Sequence, residues 1–244
     1  MLRLNHIAFA CADPARVAEF WTKLLDGYSA EQRGEAYVGS GEGPELFFDK
    51  RQKSPTIELP IHLDVNVPDF EEERERLLGL GAKLVETKSH RIGELSETWT
   101  VMRDPEGNGF CIQSPPKTEV RYIGNVTFSC AEPIPLGKFW AAALRWPGEP
   151  IDEGFIQTLI AAGMDERERE SFYVTRETPT SRPRLLFQRR EKSRPSSYPI
   201  QLDFRADDRE TEIERLTGLG ATVDETTSDG TLMRDPESNP FGVE

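Results

Sequence analysis

The sequence predicts an α+β protein assembled from tandem, paired βαβββ modules. Three observations carry that expectation. The chain repeats itself, each repeat divides into two rounds of strand and helix signals, and strand-like alternation gives way to helical spacing once in each round.

The repeat is read from ordered matches. LNHIAFACADP at 4–14 corresponds to IGNVTFSCAEP at 123–133, and each precedes a helix carrying Phe-Trp, at Phe20-Trp21 and Phe139-Trp140. LFFDKRQKS at 46–54 corresponds to LLFQRREKS at 185–193, and PIHLDV at 60–65 to PIQLDF at 199–204. GLGA recurs at Gly79 and Gly218, and MRDPEGNGF at 102–110 returns as MRDPESNPF at 233–241. So many matches in one order indicate duplication. The copies differ by an insertion at 160–175 in the second, with its charged stretch DERERE, and by a longer polar loop at 90–97 in the first, which contains His90. Such length changes belong in surface loops. Paired prolines in Ser114-Pro115-Pro116-Lys117 cannot continue a central strand, so the chain divides into two domains, 1–115 and 119–244.

In the first round, residues 2–11 alternate like a strand, Asp13 can cap a helix, and Pro14 suits its first turn. Val17, Phe20, Trp21 and Leu24 form one apolar helix face, and Gly27 can end the helix. Short strands are expected at 28–33, 35–39 and 45–50. The second round places a strand at 61–67, a helix at 70–80, and strands at 83–87, 98–103 and 109–113.

The 244 residues, 36% hydrophobic and 30% charged, suit a soluble chain with a packed core. A net charge of -13 argues against a nucleic-acid partner, which would call for clustered Lys and Arg, though an acidic cup could attract a cation. No apolar run is long enough to span a bilayer, and no basic-then-apolar stretch follows Met1. Three cysteines at spacings unlike a zinc knuckle suit a reducing compartment. A cytoplasmic monomer or homodimer is expected.

The repeated order, with DPEGN before a closing strand, resembles the vicinal oxygen chelate superfamily of glyoxalase I, extradiol dioxygenases and bleomycin-resistance proteins. The resemblance implies that paired modules form curved mixed sheets, with helices outside and a ligand cup inside. Strand alternation then names the cup face. Val126, Phe128 and Cys130 oppose Asn125, Thr127 and Ser129; Ile61, Leu63 and Val65 oppose His62, Asp64 and Asn66; His6 opposes Ile7, Phe9 and Cys11; Gln113 opposes Phe110 and Ile112. On this reading His6, His62 and Gln113 converge in one cup.

The resemblance places metal ligands at those three positions, where metal-binding relatives use two histidines and a carboxylate. Gln113 is a neutral amide and a poorer donor to a dication. Asp49, near the end of the fourth strand, is a further source of charge. One divalent ion (Zn, Ni, Mn or Fe) in the N-terminal half is the cofactor this implies. The aligned set in the second copy is Asn125, Gln201 and Glu244, which lacks an imidazole and implies no ion. Relatives also pair modules across copies. The swapped sets, His6 with Gln201 and Glu244, and Asn125 with His62 and Gln113, are each incomplete.

Other features have structural readings. Trp21 and Trp140 belong to apolar helix stripes, Cys11 and Cys130 to apolar strand faces, and Asp104-Pro105 and Asp235-Pro236 to turns. The run Glu71-Glu72-Glu73 reads as a solvated helix face. Trp99, beside the loop that only the first copy carries, is a candidate for stacking on a ligand. No nucleophile elbow, phosphate loop or dinucleotide fingerprint is present, and no catalytic residue is assigned. Two functions remain: a small-molecule binder with degenerate metal positions, using His6, His62, Gln113, Trp99, Asn125, Gln201 and Glu244, or a metal-dependent lyase or dioxygenase acting in the N-terminal half.

Overall fold

A computed structural model describes residues 1–51, 59–92, 95–115, 117–149, 157, 160–161, 165–190 and 198–244. Four βα modules follow one another. The first comprises β1 (Leu2–Cys11), α1 (Pro14–Leu24), β2 (Ser29–Arg33), β3 (Ala36–Ser40) and β4 (Glu45–Lys50). The second comprises β5 (Ile61–Asn66), α2 (Phe70–Gly79), β6 (Lys83–Ile92), β7 (Leu95–Arg103) and β8 (Gly109–Gln113). The third has β9 (Tyr122–Cys130), α3 (Pro133–Leu144), a short 3-10 turn (Glu166–Glu170), β10 (Phe172–Thr175) and β11 (Arg184–Arg189). The fourth has β12 (Ile200–Ala206), α4 (Arg209–Gly218), β13 (Thr222–Thr226), β14 (Thr231–Arg234) and β15 (Pro240–Val243).

The modules form two curved mixed sheets by exchange between the copies. An eight-stranded sheet has the order β13-β14-β15-β12-β1-β4-β3-β2, so modules one and four share it. A seven-stranded sheet has the order β10-β11-β9-β5-β8-β7-β6, so modules two and three share it. The seams are antiparallel: β1 meets β12 with His6 opposite Asp203, and β5 meets β9 with Asp64 opposite Asn125.

Local chemistry explains the elements. Asp13 accepts from the Arg16 N–H at 3.2 Å and Pro14 occupies the first turn of α1; Asp69 and Asp208 cap α2 and α4 in the same way. Glu132 at the start of α3 makes no side-chain cap; the Glu237 carboxylate instead accepts from the Ala131 and Glu132 N–H groups at 2.9 and 2.7 Å. Glu106 does the same for Ala12 and Asp13.

The apolar faces of both sheets join one core with the helices. Trp21 on α1 lies 5.1 Å from Phe9 of the eight-stranded sheet and 5.4 Å from Phe110 of the seven-stranded one. Trp140 on α3 repeats this between Phe128 at 5.6 Å and Phe241 at 5.1 Å. Both indoles are fully buried, as are Cys11 and Cys130, and each large apolar side chain so placed stabilises the fold by roughly 1.5–3 kcal/mol.

Three expectations change. Residues 90–92 and 95–97, expected in a loop, extend the β6–β7 hairpin, with His90 opposite Glu97 and Ile92 opposite Leu95; a ladder needs only backbone groups, so polar side chains hid it. The 160–175 insertion includes the edge strand β10, which pairs with β11. Glu73 is buried rather than solvated: its carboxylate accepts from Arg121 Nε at 2.7 Å and from Arg76, which ties α2 to β9. Pro116 and the motif ends at 52–54 and 191–193 lie outside the described residues. Among the described residues no helix is long and apolar enough to cross a membrane.

Candidate functional site

The module exchange separates two of the residues expected together. His6 stands on β1 in the eight-stranded sheet, whereas His62 and Gln113 stand on β5 and β8 in the seven-stranded one. The single cup holding His6, His62 and Gln113 therefore does not form. The eight-stranded sheet brings together the swapped set His6, Gln201 and Glu244, because β1 takes β12 as its neighbour; β5 takes β9, but Gln113 is level with Asn66, four residues or about 13 Å along β5 from His62, so the set of Asn125, His62 and Gln113 is spread along the strand.

On the eight-stranded sheet these residues make a chain of hydrogen bonds. His6 Nε2 lies 3.0 Å from Asp203 Oδ2, and Gln201 Nε2 donates to the other Asp203 oxygen at 2.5 Å. On the far side of the ring, Asn5 Nδ2 is 3.2 Å from His6 Nδ1 and donates to Glu244 Oε2 at 2.8 Å. Phe47 stacks obliquely on the imidazole at 4.9 Å. A Cβ on Gly242 would lie 2.3 Å from Asp203 Oδ1, so glycine there makes room for the carboxylate. Asp49 does not join the set. It pairs with Ala10, four residues or about 13 Å along the strand from His6, and bonds Arg51 at 2.9 Å.

On the seven-stranded sheet the cup-face residues line up across strands. One row runs Arg184, Asn125, Asp64, Cys111 and Val101; a second runs Tyr122, Asn66, Gln113 and Trp99. His62 is 6% exposed, Asp64 7%, Asn125 3% and Thr127 1%, so the polar face is enclosed rather than washed by solvent. Asp64 Oδ2 accepts from Asn125 Nδ2 at 3.0 Å and Thr127 Oγ1 at 2.7 Å; its Oδ1 faces His62 Nε2 at 3.4 Å. The Asn125 oxygen accepts from Arg184 Nε at 2.9 Å, and Gln113 Nε2 donates to Asn66 Oδ1 at 2.8 Å. Trp99, Gln113 and Tyr122 are half-buried, and the Arg182 guanidinium sits 3.8 Å over the Tyr122 ring.

Charge follows from this enclosure. Burial alone would push the His62 imidazole down, but the Cys111 sulfur and the Asp64 carboxylate outweigh it and lift it to about 10. Burial likewise opposes ionisation of Asp64, yet the imidazole, Asn125 and Thr127 hold it below the usual carboxylate range. Burial pushes the Cys111 thiol up.

Among the described residues, His62, Asp64 and Cys111 are the three that bring possible ligand atoms within 4.8 Å of one another. The sequence reading had His62 and placed Asp64 on the cup face, but gave neither Asp64 nor Cys111 a role. Asp203 and Tyr122 were missed as well. A signal existed: the acidic residue of the repeated LDV and LDF segments falls on the polar face in both copies, at Asp64 and Asp203.

A glyoxalase-like domain family model matches the chain twice, over residues 6–113 and 125–244. No curated protein matches its sequence significantly. Among solved structures, glyoxalase I from Zea mays superposes with a TM-score of 0.66 at 13% identity, covering 100% of this chain and 92% of that one. A candidate dioxygenase from Bacillus subtilis gives 0.63 at 12% identity, covering 98% and 84%. At such identities the likeness concerns the fold. Taken with the doubled family match and the paired βαβββ modules, it means that this chain belongs to the glyoxalase-like domain family of the vicinal oxygen chelate superfamily, as a tandem two-domain member.

Proposed function

We propose that the protein binds a small, ring-bearing organic molecule in the cup of the seven-stranded sheet, and that no ion occupies the positions the family uses for its metal. One observation carries this reading: the cross-strand row Tyr122, Asn66, Gln113, Trp99. It sets two half-buried aromatic side chains at either end of two amides. Three strand spacings separate them, about 14 Å of backbone, which leaves room for a ring over the amides. The hydrogen bond between Gln113 and Asn66 uses one N–H and one lone pair, and each amide carries further donors and acceptors to orient a ligand.

The metal-dependent alternative fits the residues less well. In the seven-stranded cup the set is His62, Gln113 and Asn125, and the amide oxygen of Asn125 already accepts from a guanidinium, a poor neighbour for a dication. In the eight-stranded cup His6, Gln201 and Glu244 are spent on Asp203 and Asn5.

The test is a thermal-shift and tryptophan-fluorescence screen of neutral, cationic and anionic aromatic compounds in chelator-treated protein. A ligand of this cup stabilises the wild type, binds roughly tenfold more weakly to Trp99→Ala and Tyr122→Ala, and is unaffected by His6→Ala. Hits that respond to His6→Ala but not to Trp99→Ala would overturn the assignment.

A further inference from the structure

We propose that the ligand of the seven-stranded cup is an organic anion: an aromatic ring tethered to a carboxylate-class oxyanion, which Arg182 and Arg184 receive at the β9–β11 end. This rests on the ring-binding assignment above and adds the ligand's charge and its orientation.

The duplicated chain supplies its own comparison. Gly43-Pro44-Glu45-Leu46 aligns without a gap with Arg182-Pro183-Arg184-Leu185. Strand register agrees with that alignment, since Glu45 lies level with His6 on β1 and Arg184 lies level with Asn125 on β9. One structural position therefore carries a carboxylate in the eight-stranded cup and a guanidinium in the seven-stranded one. Two residues earlier, a glycine in the first copy is matched by a second guanidinium. The rings diverge in the same sense. Arg3 and Gly230 stand where the seven-stranded cup has Tyr122 and Trp99, so the paired guanidiniums and the aromatic row occur together in that cup alone.

These guanidiniums are under-neutralised. Arg182 is exposed, sits 3.8 Å over the Tyr122 ring and makes no ion pair among the described residues. Arg184 donates Nε to Asn125 at 2.9 Å and Nη1 to Glu149 at 3.4 Å, which leaves Nη2 without a protein partner among the described residues. Glu149 also pairs with Arg176, so one carboxylate serves two guanidiniums while Arg182 has none. In a chain with 43 acidic and 30 basic residues, a local excess of positive charge at one end of a cup runs against the composition.

A guanidinium held over a ring face keeps its N–H edge free. That planar fork of donors matches the two oxygens of a carboxylate, and a lone ammonium does not. Half-buried Tyr122 and Arg184 shelter the contact from water. The oxyanion then lies at Arg182, and the ring reaches over the amides of Asn66 and Gln113 toward Trp99. That row spans about 14 Å of backbone, enough for a phenyl ring and a short tether.

The test titrates the full chain, chelator-treated, in a calorimeter with three matched series. They are phenylacetate, 3-phenylpropionate and 4-phenylbutyrate, the amides of these acids, and the amines of the same lengths. The expected result is an acid that binds about tenfold more tightly than its amide, with the amine weaker still. Salt at about 0.5 M should narrow that gap, because Arg182 is exposed. Arg182→Gln should weaken the acids about tenfold and leave the amides unchanged, and Arg182→Lys, which keeps the charge without the fork, should fall between. Arg182→Glu should favour the amines. Arg184→Gln should act as Arg182→Gln does, with circular dichroism to check folding because Arg184 also supports Asn125. Acids that bind no better than amides overturn the proposal, and so does a preference for acids that survives in both glutamine variants. If amides match the acids and weaken in Trp99→Ala, the ring assignment stands and the charge assignment alone falls; if no series binds, both fall.

Discussion

The indole of Trp21 donates to the carboxylate of Asp104 at 3.2 Å, joining a helix that backs the eight-stranded sheet to a turn that feeds the seven-stranded one. Trp140 and Asp235 repeat the bond at 3.1 Å in the second copy. Each sequence copy is therefore held together through its helix and its turn, while its two strand sets belong to different sheets. The same aspartate organises the turn: Asp104 Oδ1 accepts from the Glu106 and Asn108 N–H groups, and Oδ2 accepts from Asn108 Nδ2 as well as the indole. All four acceptor roles are filled by donors.

An amide in place of that carboxylate should be costly despite its equal size. In Asp104→Asn the new NH2 faces the Trp21 and Asn108 donors, leaving buried N–H groups unpaired at about 1–3 kcal/mol each. A urea titration should show a lowered midpoint with an unchanged slope, and Asp235→Asn should behave alike. An unaltered midpoint would remove the idea that this bond joins the layers.

Because each sheet draws on both copies, neither copy should fold alone. Residues 1–115 expressed by themselves present β1 and β5 without the neighbours β12 and β9. Size-exclusion chromatography should find that fragment aggregated or dimeric, and mixing it with 119–244 should restore a complex of native circular dichroism. A well-folded monomer of 1–115 would contradict the exchange.

Glu73 is 1% exposed and binds Arg121 and Arg76. Glu73→Ala removes a buried acceptor and frees two guanidiniums that can still reach water. The loss should be appreciable but below the about 3–5 kcal/mol typical of breaking a fully buried pair. Calorimetry would read it as a lowered melting temperature; no change would return Glu73 to the solvated face that its sequence suggested.

The His62–Asp64 pair gives chelator-treated protein a defined pH profile. An imidazole raised to about 10 in the fold contributes stability that is complete below its unfolded value near 6.5 and fades as pH rises through 10. Asp64, lowered in the fold, contributes above its ordinary range and is lost as pH falls through its folded value. Melting temperatures should therefore decline from neutral toward strongly alkaline pH, and His62→Gln should flatten that limb. A parallel decline in the variant would mean that other groups cause it.

Much of the fold was legible because its signals are local. The stripe of Val17, Phe20, Trp21 and Leu24 with the Asp13 cap marked α1, and the alternation in β5 and β9 marked which side chains leave the core. Paired polar strands were less legible: β6 is exposed from Lys83 to Ser89 and lacks the alternation that burial imposes. Of the site, His62 and Gln113 were named from parity, whereas Cys111 looked like one more small apolar residue between Phe110 and Ile112 until its partner across the strand was known.

By itself, the amino-acid order determined the number of modules, their internal layout and the polar or apolar sense of every central strand, since each is written in spacing that neighbours along the chain enforce. Only the tertiary structure decided which modules share a sheet, and so whether His6 meets His62 or Asp203. The ladder that joins β1 to β12 is made of backbone N–H and C=O groups, which are the same for every strand, and β5 and β12 carry nearly the same side-chain pattern. Those pairings are long-range, and the helix residues Trp21 and Trp140 each touch aromatic side chains of both sheets within one buried core, a relationship that no local spacing records.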